Sequence, residues 1–189
     1  NGVRLEEQGK YSAAIEMYTQ AIKLNTDFAD AYLHRAICNI YMTKSLEIEK
    51  DDEIKYHLDA ALKDLKFAQM LAPKKAIIYS YLGFLHYRIN NFDAVVFYCE
   101  KACALEPNNY AYFFNLGYAL YLSGEDKLAS GKNKLALQLF NRALPACNKA
   151  INLLKKEKVW EKKEMAFLYK NRAFIKFELG DYKGSLEDL

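Results

Sequence analysis

A chain of 189 residues with 52% hydrophobic and 27% charged side chains is long enough to bury a substantial core, and its composition fits neither a disordered nor a membrane protein. The formal net charge of +3 is too small for the concentrated basic face that nucleic acid requires, and no apolar run approaches the roughly 20 residues that span a bilayer. Only 8 Gly and 3 Pro are present, too few for a many-turned β protein, whereas abundant Ala, Leu, Lys, Glu and Tyr favour helix.

Five segments follow one another with the same side-chain pattern. The first, 1–28, carries Gly2, Gly9, Tyr11, Ala14, Tyr18 and Ala21. In the second, 29–75, Tyr32 and Ala36 precede Ala61, Leu65, Ala68 and Pro73, and the charged stretch 43–55 (TKSLEIEKDDEIK) separates the two groups. That stretch is expected to form a loop or extra helical turns in solvent. The third, 76–109, has Tyr79, Leu82, Gly83, Phe92, Val95, Cys99, Ala102 and Pro107. The fourth, 110–165, has Phe113, Leu116, Gly117 and Gly124, then an expected separator at 125–134 and a long helix over 135–154 in which Pro145 should introduce a kink. The charged run 155–164 delays the fifth segment, 166–189, which carries Tyr169, Ala173, Gly180, Tyr182 and Leu189.

Ala68 and Ala102 lie 34 residues apart, as do Pro73 and Pro107, Gly83 and Gly117, and Tyr79 and Phe113. This period and these residues resemble the tetratricopeptide repeat (TPR) family over nearly the whole chain. The resemblance implies an all-α fold, a right-handed superhelical solenoid of antiparallel helix-turn-helix hairpins forming one domain over 1–189. Small residues such as Ala36, Gly83, Gly117 and Ala173 would let paired helices approach closely. Gly9, Gly124 and Gly180 are expected where a first helix stops and reverses. The chain starts at Asn1, and both ends fall in helical pattern, so it reads as part of a longer protein.

The residues offer no catalytic constellation. His34, His57 and His86 occupy unrelated repeat positions, and His34 with Cys38 supplies two potential metal ligands without a third. Cys99 and Cys103, one helical turn apart, lie on an inward stripe where cysteine acts as a small hydrophobe. With Cys38 and Cys147 they form no CxxC pair or disulfide framework, which suits a reducing, cytoplasmic compartment. No phosphate loop, nucleophile elbow or zinc-protease helix occurs. An enzyme, a metal and a cofactor are therefore not expected.

In the TPR family the first helices line a concave face. Its contact positions here are Leu33, Ile37, Ile40 and Tyr41; then Ile77, Ser80, Phe84, Tyr87 and Arg88; then Phe114, Tyr118 and Tyr121; and finally Phe167, Lys170 and Phe174. Asn115 and Asn171 sit at its edge. Steps of three and four keep such residues on one helix face. The implied groove is apolar and rich in aromatic rings, as suits protein recognition. The carboxylate clamp of TPR co-chaperones that hold Hsp70 and Hsp90 tails is absent: its positions are taken by Val3, His34 and the Ile77, Ser80 and Tyr81 stretch. The expectation is a scaffold or adaptor for an apolar or aromatic peptide or helix of a protein partner, with no nucleic acid and no membrane insertion. Two alternatives are a self-associating segment of a larger TPR scaffold, in which packing of the rings on each other or a terminal helix fills the groove, and a module targeting an enzyme whose catalytic domain lies outside this chain.

Overall fold

The computed structural model describes residues 1–43, 51–157 and 161–189, and every regular element among them is an α-helix. The chain divides into two compact units, residues 1–85 and 86–189.

The first unit contains α1 (Gly2–Glu7), α2 (Tyr11–Leu24), α3 (Ala29–Met42), α4 (Asp51–Leu71) and most of α5 (Ala76–Arg88). Consecutive helices pack as antiparallel neighbours, α1 on α2, α2 on α3 and α3 on α4. Ala14, Tyr18, Ala31 and Cys38 form a buried cluster, supported by Leu5, Tyr11 and Ile15. Gly2 lies against the Tyr18 ring so closely that a Cβ there would stand 2.7 Å from its edge, which explains the small residue at the start of the chain. The inserted stretch after α3 is helical from Asp51 to Lys55, so α4 gains an extra turn; the remainder of the expected insertion, 44–50, lies outside the described residues.

The second unit contains the end of α5, then α6 (Phe92–Leu105), α7 (Tyr110–Ala129), α8 (Asn133–Leu154), α9 (Lys162–Glu178) and α10 (Tyr182–Asp188). Its core joins Val95 and Cys99 of α6, Leu120 of α7, Phe140 and Cys147 of α8, and Ile175 of α9. Two sequence expectations are corrected here. Residues 125–134 do not separate the helices of the fourth repeat: α7 runs on to Ala129 and α8 begins at Asn133, so the extra residues lengthen both helices. Asp93 fixes this extension, accepting hydrogen bonds from Ser123 Oγ at 2.9 Å and Lys127 Nζ at 3.0 Å. Consequently Gly124 is not a helix stop. It is buried mid-helix, where a Cβ would meet the Phe140 ring at 2.4 Å. The helix α8 continues through Pro145, which sits inside it with an exposed ring.

Four hairpins reverse by the same turn. Gly9, Asn90, Gly131 and Gly180 have φ of 70°, 55°, 73° and 80°, the left-handed conformation that glycine and, less readily, asparagine adopt. In each case the following residue donates its N–H five residues back: Lys10 to Leu5, Asn91 to His86, Lys132 to Lys127 and Asp181 to Lys176, at 2.8–3.0 Å. Gly131 thus does in the fourth repeat what the sequence assigned to Gly124.

One polar device recurs within both units. Arg35 on α3 donates Nε and an Nη to the two carboxylate oxygens of Asp64 on α4, at 2.8 and 2.7 Å, and lies over the Tyr32 ring. Arg172 on α9 grips Asp188 on α10 through the same two nitrogens and lies over Tyr169. The spacing Tyr-x-x-Arg is identical in the two repeats. Each guanidinium ties the two helices of a hairpin together with paired, charge-assisted hydrogen bonds.

Candidate functional site

In the second unit the apolar core draws Phe113, Gly117, Leu120 and Gly124 to one side of α7. The adjoining stripe, Phe114, Tyr118 and Tyr121, steps by four and three residues and so stays on one helix face. The same spacing on α9 places Phe167, Lys170, Phe174 and Phe177 along one edge, while Met165, Leu168, Asn171, Ala173 and Ile175 are buried.

These rings form a ladder. Phe114 stacks on Tyr118 with centroids 6.4 Å apart, and Tyr118 meets Tyr87 from the end of α5 at 6.3 Å. Tyr121 bridges inward to Phe140 at 6.0 Å and across to Phe174 on α9 at 6.1 Å, nearly parallel to the latter. Lys170 Nζ lies 5.7 Å from the Phe174 ring centroid. Mutual packing does not bury the ladder: Tyr118 and Phe174 keep 40% and 43% of their surface exposed, and Phe167 keeps 63%. Burial raises the hydroxyl pKa of Tyr118, with Tyr87 adding to the shift. Burial likewise pushes that of Tyr121 up to about 12, with the carboxylates of Glu125 and Glu178 contributing. Both phenols are therefore neutral hydrogen-bond donors at physiological pH.

The remaining expected positions are distributed as follows. In the first unit Leu33, Ile37 and Ile40 are only 2%, 4% and 2% exposed and offer no surface to a partner as placed. The helix that carries them has Asp30, His34, Arg35 and Asn39 among its residues, and eight of its residues are buried. Tyr41 is partly buried and stacks face to face on Tyr11 at 5.1 Å. Ile77, Ser80 and Phe84 on α5 are partly buried. In the second unit Arg88 is exposed and Asn115 is partly buried. Asn171 turns away from the ladder into the packing between α8 and α9, where its amide nitrogen reaches Cys147 Sγ at 3.5 Å. Sequence reasoning passed over Glu125 and Glu178; each follows a ladder ring, Tyr121 or Phe174, by four residues, a spacing visible in the sequence.

The histidines and thiols serve packing and hydrogen bonding. His34 Nδ1 sits 3.0 Å from Glu6 Oε2, which also accepts from the Tyr18 hydroxyl at 2.9 Å, and the His34 ring stacks on Tyr18. His57 pairs with Asn39 at 2.8 Å, and His86 stacks on Tyr98. Burial pushes the thiols of Cys38, Cys99, Cys103 and Cys147 up to about 12, far from the range of a reactive thiolate. Among the described residues no three His, Cys, Asp or Glu side chains gather as a metal site, and no helix is long and apolar enough to cross a membrane.

Residues 4–38 match the TPR repeat family. The whole fold is shared with solved TPR structures. MamA from Desulfovibrio magneticus RS-1 superposes with a TM-score of 0.69 at 13% identity, over 99% of this chain and 86% of that one. YrrB, described as a TPR protein with an unusual peptide-binding site, gives 0.67 at 14% identity, over 99% and 78%. A chain of the APC/C hetero-tetramer Cut9-Hcn1 gives 0.67 at 19% identity, over 99% of this chain and 31% of that one. The chain has the fold of TPR proteins. No curated protein sequence matches it. It presents helical hairpins, and the exposed ring ladder marks where its second unit departs from simple packing.

Proposed function

We propose that this chain is a TPR adaptor, and that the face of α7 and α9 takes an apolar or aromatic peptide or helix from a protein partner. The carrying observation is that Tyr118 and Phe174 remain about two-fifths exposed although each stacks on a neighbouring ring. Rings already held by their neighbours lose little further conformational freedom on binding, so the area they bury on a ligand translates efficiently into affinity. The description of YrrB as a peptide binder supports the reading by analogy of fold. Loss of two such rings removes anchors of the kind that dominate interfaces.

The test is quantitative affinity capture with the native chain and with the Tyr118→Ser/Phe174→Ser variant. Partners retained by the native chain should fall at least about tenfold with the variant, while the helical circular-dichroism signal is preserved. Equal retention by a folded variant would overturn the reading.

A further inference from the structure

The ring ladder ends in charge. Glu125 and Glu178 each lie one helical turn beyond a stacked ring, Glu125 after Tyr121 on α7 and Glu178 after Phe174 on α9. Because Tyr121 and Phe174 stack across the two helices at 6.1 Å, Glu125 and Glu178 fall on the next turn of each helix, on the same side as the rings. The two carboxylates act on each other: burial raises the Glu178 carboxyl above its ordinary range, and the Glu125 charge raises it further. Among the described residues neither carboxylate forms an ion pair, although lysines elsewhere in the unit are engaged, Lys127 by Asp93 and Lys176 by Asp188. The Tyr121 hydroxyl hydrogen-bonds to the Glu125 side chain, but one carboxylate oxygen, Oε1, is shielded from solvent and has no hydrogen-bond donor. Like charges drawn together beside aromatic faces, with an acceptor left unmet, cost free energy unless a cation arrives.

Resting on the reading of this face as a peptide groove, we infer that its occupant is an apolar segment carrying an arginine or lysine, whose cationic head sits between Glu125 and Glu178 while its apolar neighbours lie on Tyr118, Tyr121 and Phe174. A guanidinium or ammonium there would meet both carboxylates through charge-assisted hydrogen bonds. The face also has a direction. The Lys170 ammonium lies over the Phe174 ring and Glu178 follows one turn later, so the positive charge sits on the Lys170 side of that ring and the negative charge beyond it. An acceptable ligand therefore places its basic residue at the Glu125–Glu178 end, with any acidic residue toward Lys170.

A randomised peptide library displayed on phage, selected against the intact native chain and against the Glu125→Gln/Glu178→Gln variant, tests this. Sequences selected by the native chain should combine apolar or aromatic residues with Arg or Lys; those selected by the variant should keep the apolar residues and lose the basic enrichment. A synthetic copy of a native-selected peptide should bind the variant at least about tenfold more weakly, and replacing its arginine by neutral citrulline should weaken binding to the native chain equally. The citrulline peptide keeps the test valid whatever the variant does to folding. Apolar peptides without basic enrichment, or an indifferent response to citrulline, would overturn the inference and leave the groove reading standing. Failure of the native chain to select any peptide sequence would overturn both.

Discussion

Arg35 and Arg172 carry the same task in separate hairpins, and their surroundings set how much each is worth. Asp64 is 4% exposed and its carboxylate is held by the Arg35 fork, which also donates to Thr19 Oγ1 at 2.9 Å. Arg35→Ala would strand that carboxylate, at a cost of about 2–3 kcal/mol, somewhat under the usual range for a buried pair because Arg35 itself retains some solvent contact. Arg35→Lys should recover only part of the loss, since an ammonium cannot reproduce the two parallel bonds. Chemical denaturation of the three proteins measures both. Asp188 adds a pH signature. Burial pushes its carboxyl up, but hydrogen bonds from Arg172 and Lys176 more than offset this and hold it below the ordinary carboxylate range. A depressed acid contributes stability that is present above its unfolded value, about 3.9, and is lost as the pH falls through the lower folded value. The stability gap between the native chain and Asp188→Asn should therefore be constant near neutrality and shrink as the pH drops below about 4; a gap unchanged into the acid range would contradict this ion pairing.

At the scale of elements, close approach of α7 and α8 depends on two missing Cβ atoms. A methyl at Gly117 would lie 2.4 Å from Cys147 Sγ, with nothing else closer than 3.4 Å. Gly117→Ala should thus cost about 1–3 kcal/mol, and Cys147→Ala in the same chain should return most of it, a coupling that a double-mutant cycle reads directly. Gly131→Ala is different in kind: there is open space around it, and the penalty of about 1 kcal/mol comes from φ of 73° alone. The helical pairs and Gly117's place at a helix crossing were legible because the 34-residue period repeats its small and aromatic positions. The turn of the fourth repeat was not, because Gly124 and Gly131 are both plausible stops on local grounds. Only the contacts of Asp93 with Ser123 and Lys127, made across 30 and 34 residues, carry the helix past the first. The Arg–Asp ties were likewise hidden, since their partners lie 29 and 16 residues apart, one of them across an insertion.

For the molecule as a whole, the apolar positions implied by the repeat do not behave alike in the two units. In the first, Leu33, Ile37 and Ile40 are consumed by packing. In the second, the ladder is stacked and still exposed. Periodicity places a residue on a face, but it says nothing of what lies against that face, so the exposure of each candidate residue was not legible in the sequence. If a partner rather than a second copy of the chain covers the ladder, light scattering should give a monomer mass independent of concentration, the same for the native chain and for Tyr118→Ser/Phe174→Ser. An association that disappears with those substitutions would instead assign the face to self-assembly. The most direct measurement is chemical-shift mapping of the native chain with a peptide selected on it. The account predicts shifts centred on Tyr118, Tyr121 and Phe174 and extending to Glu125 and Glu178. Shifts centred elsewhere, with the ladder unmoved at saturating peptide, would contradict it.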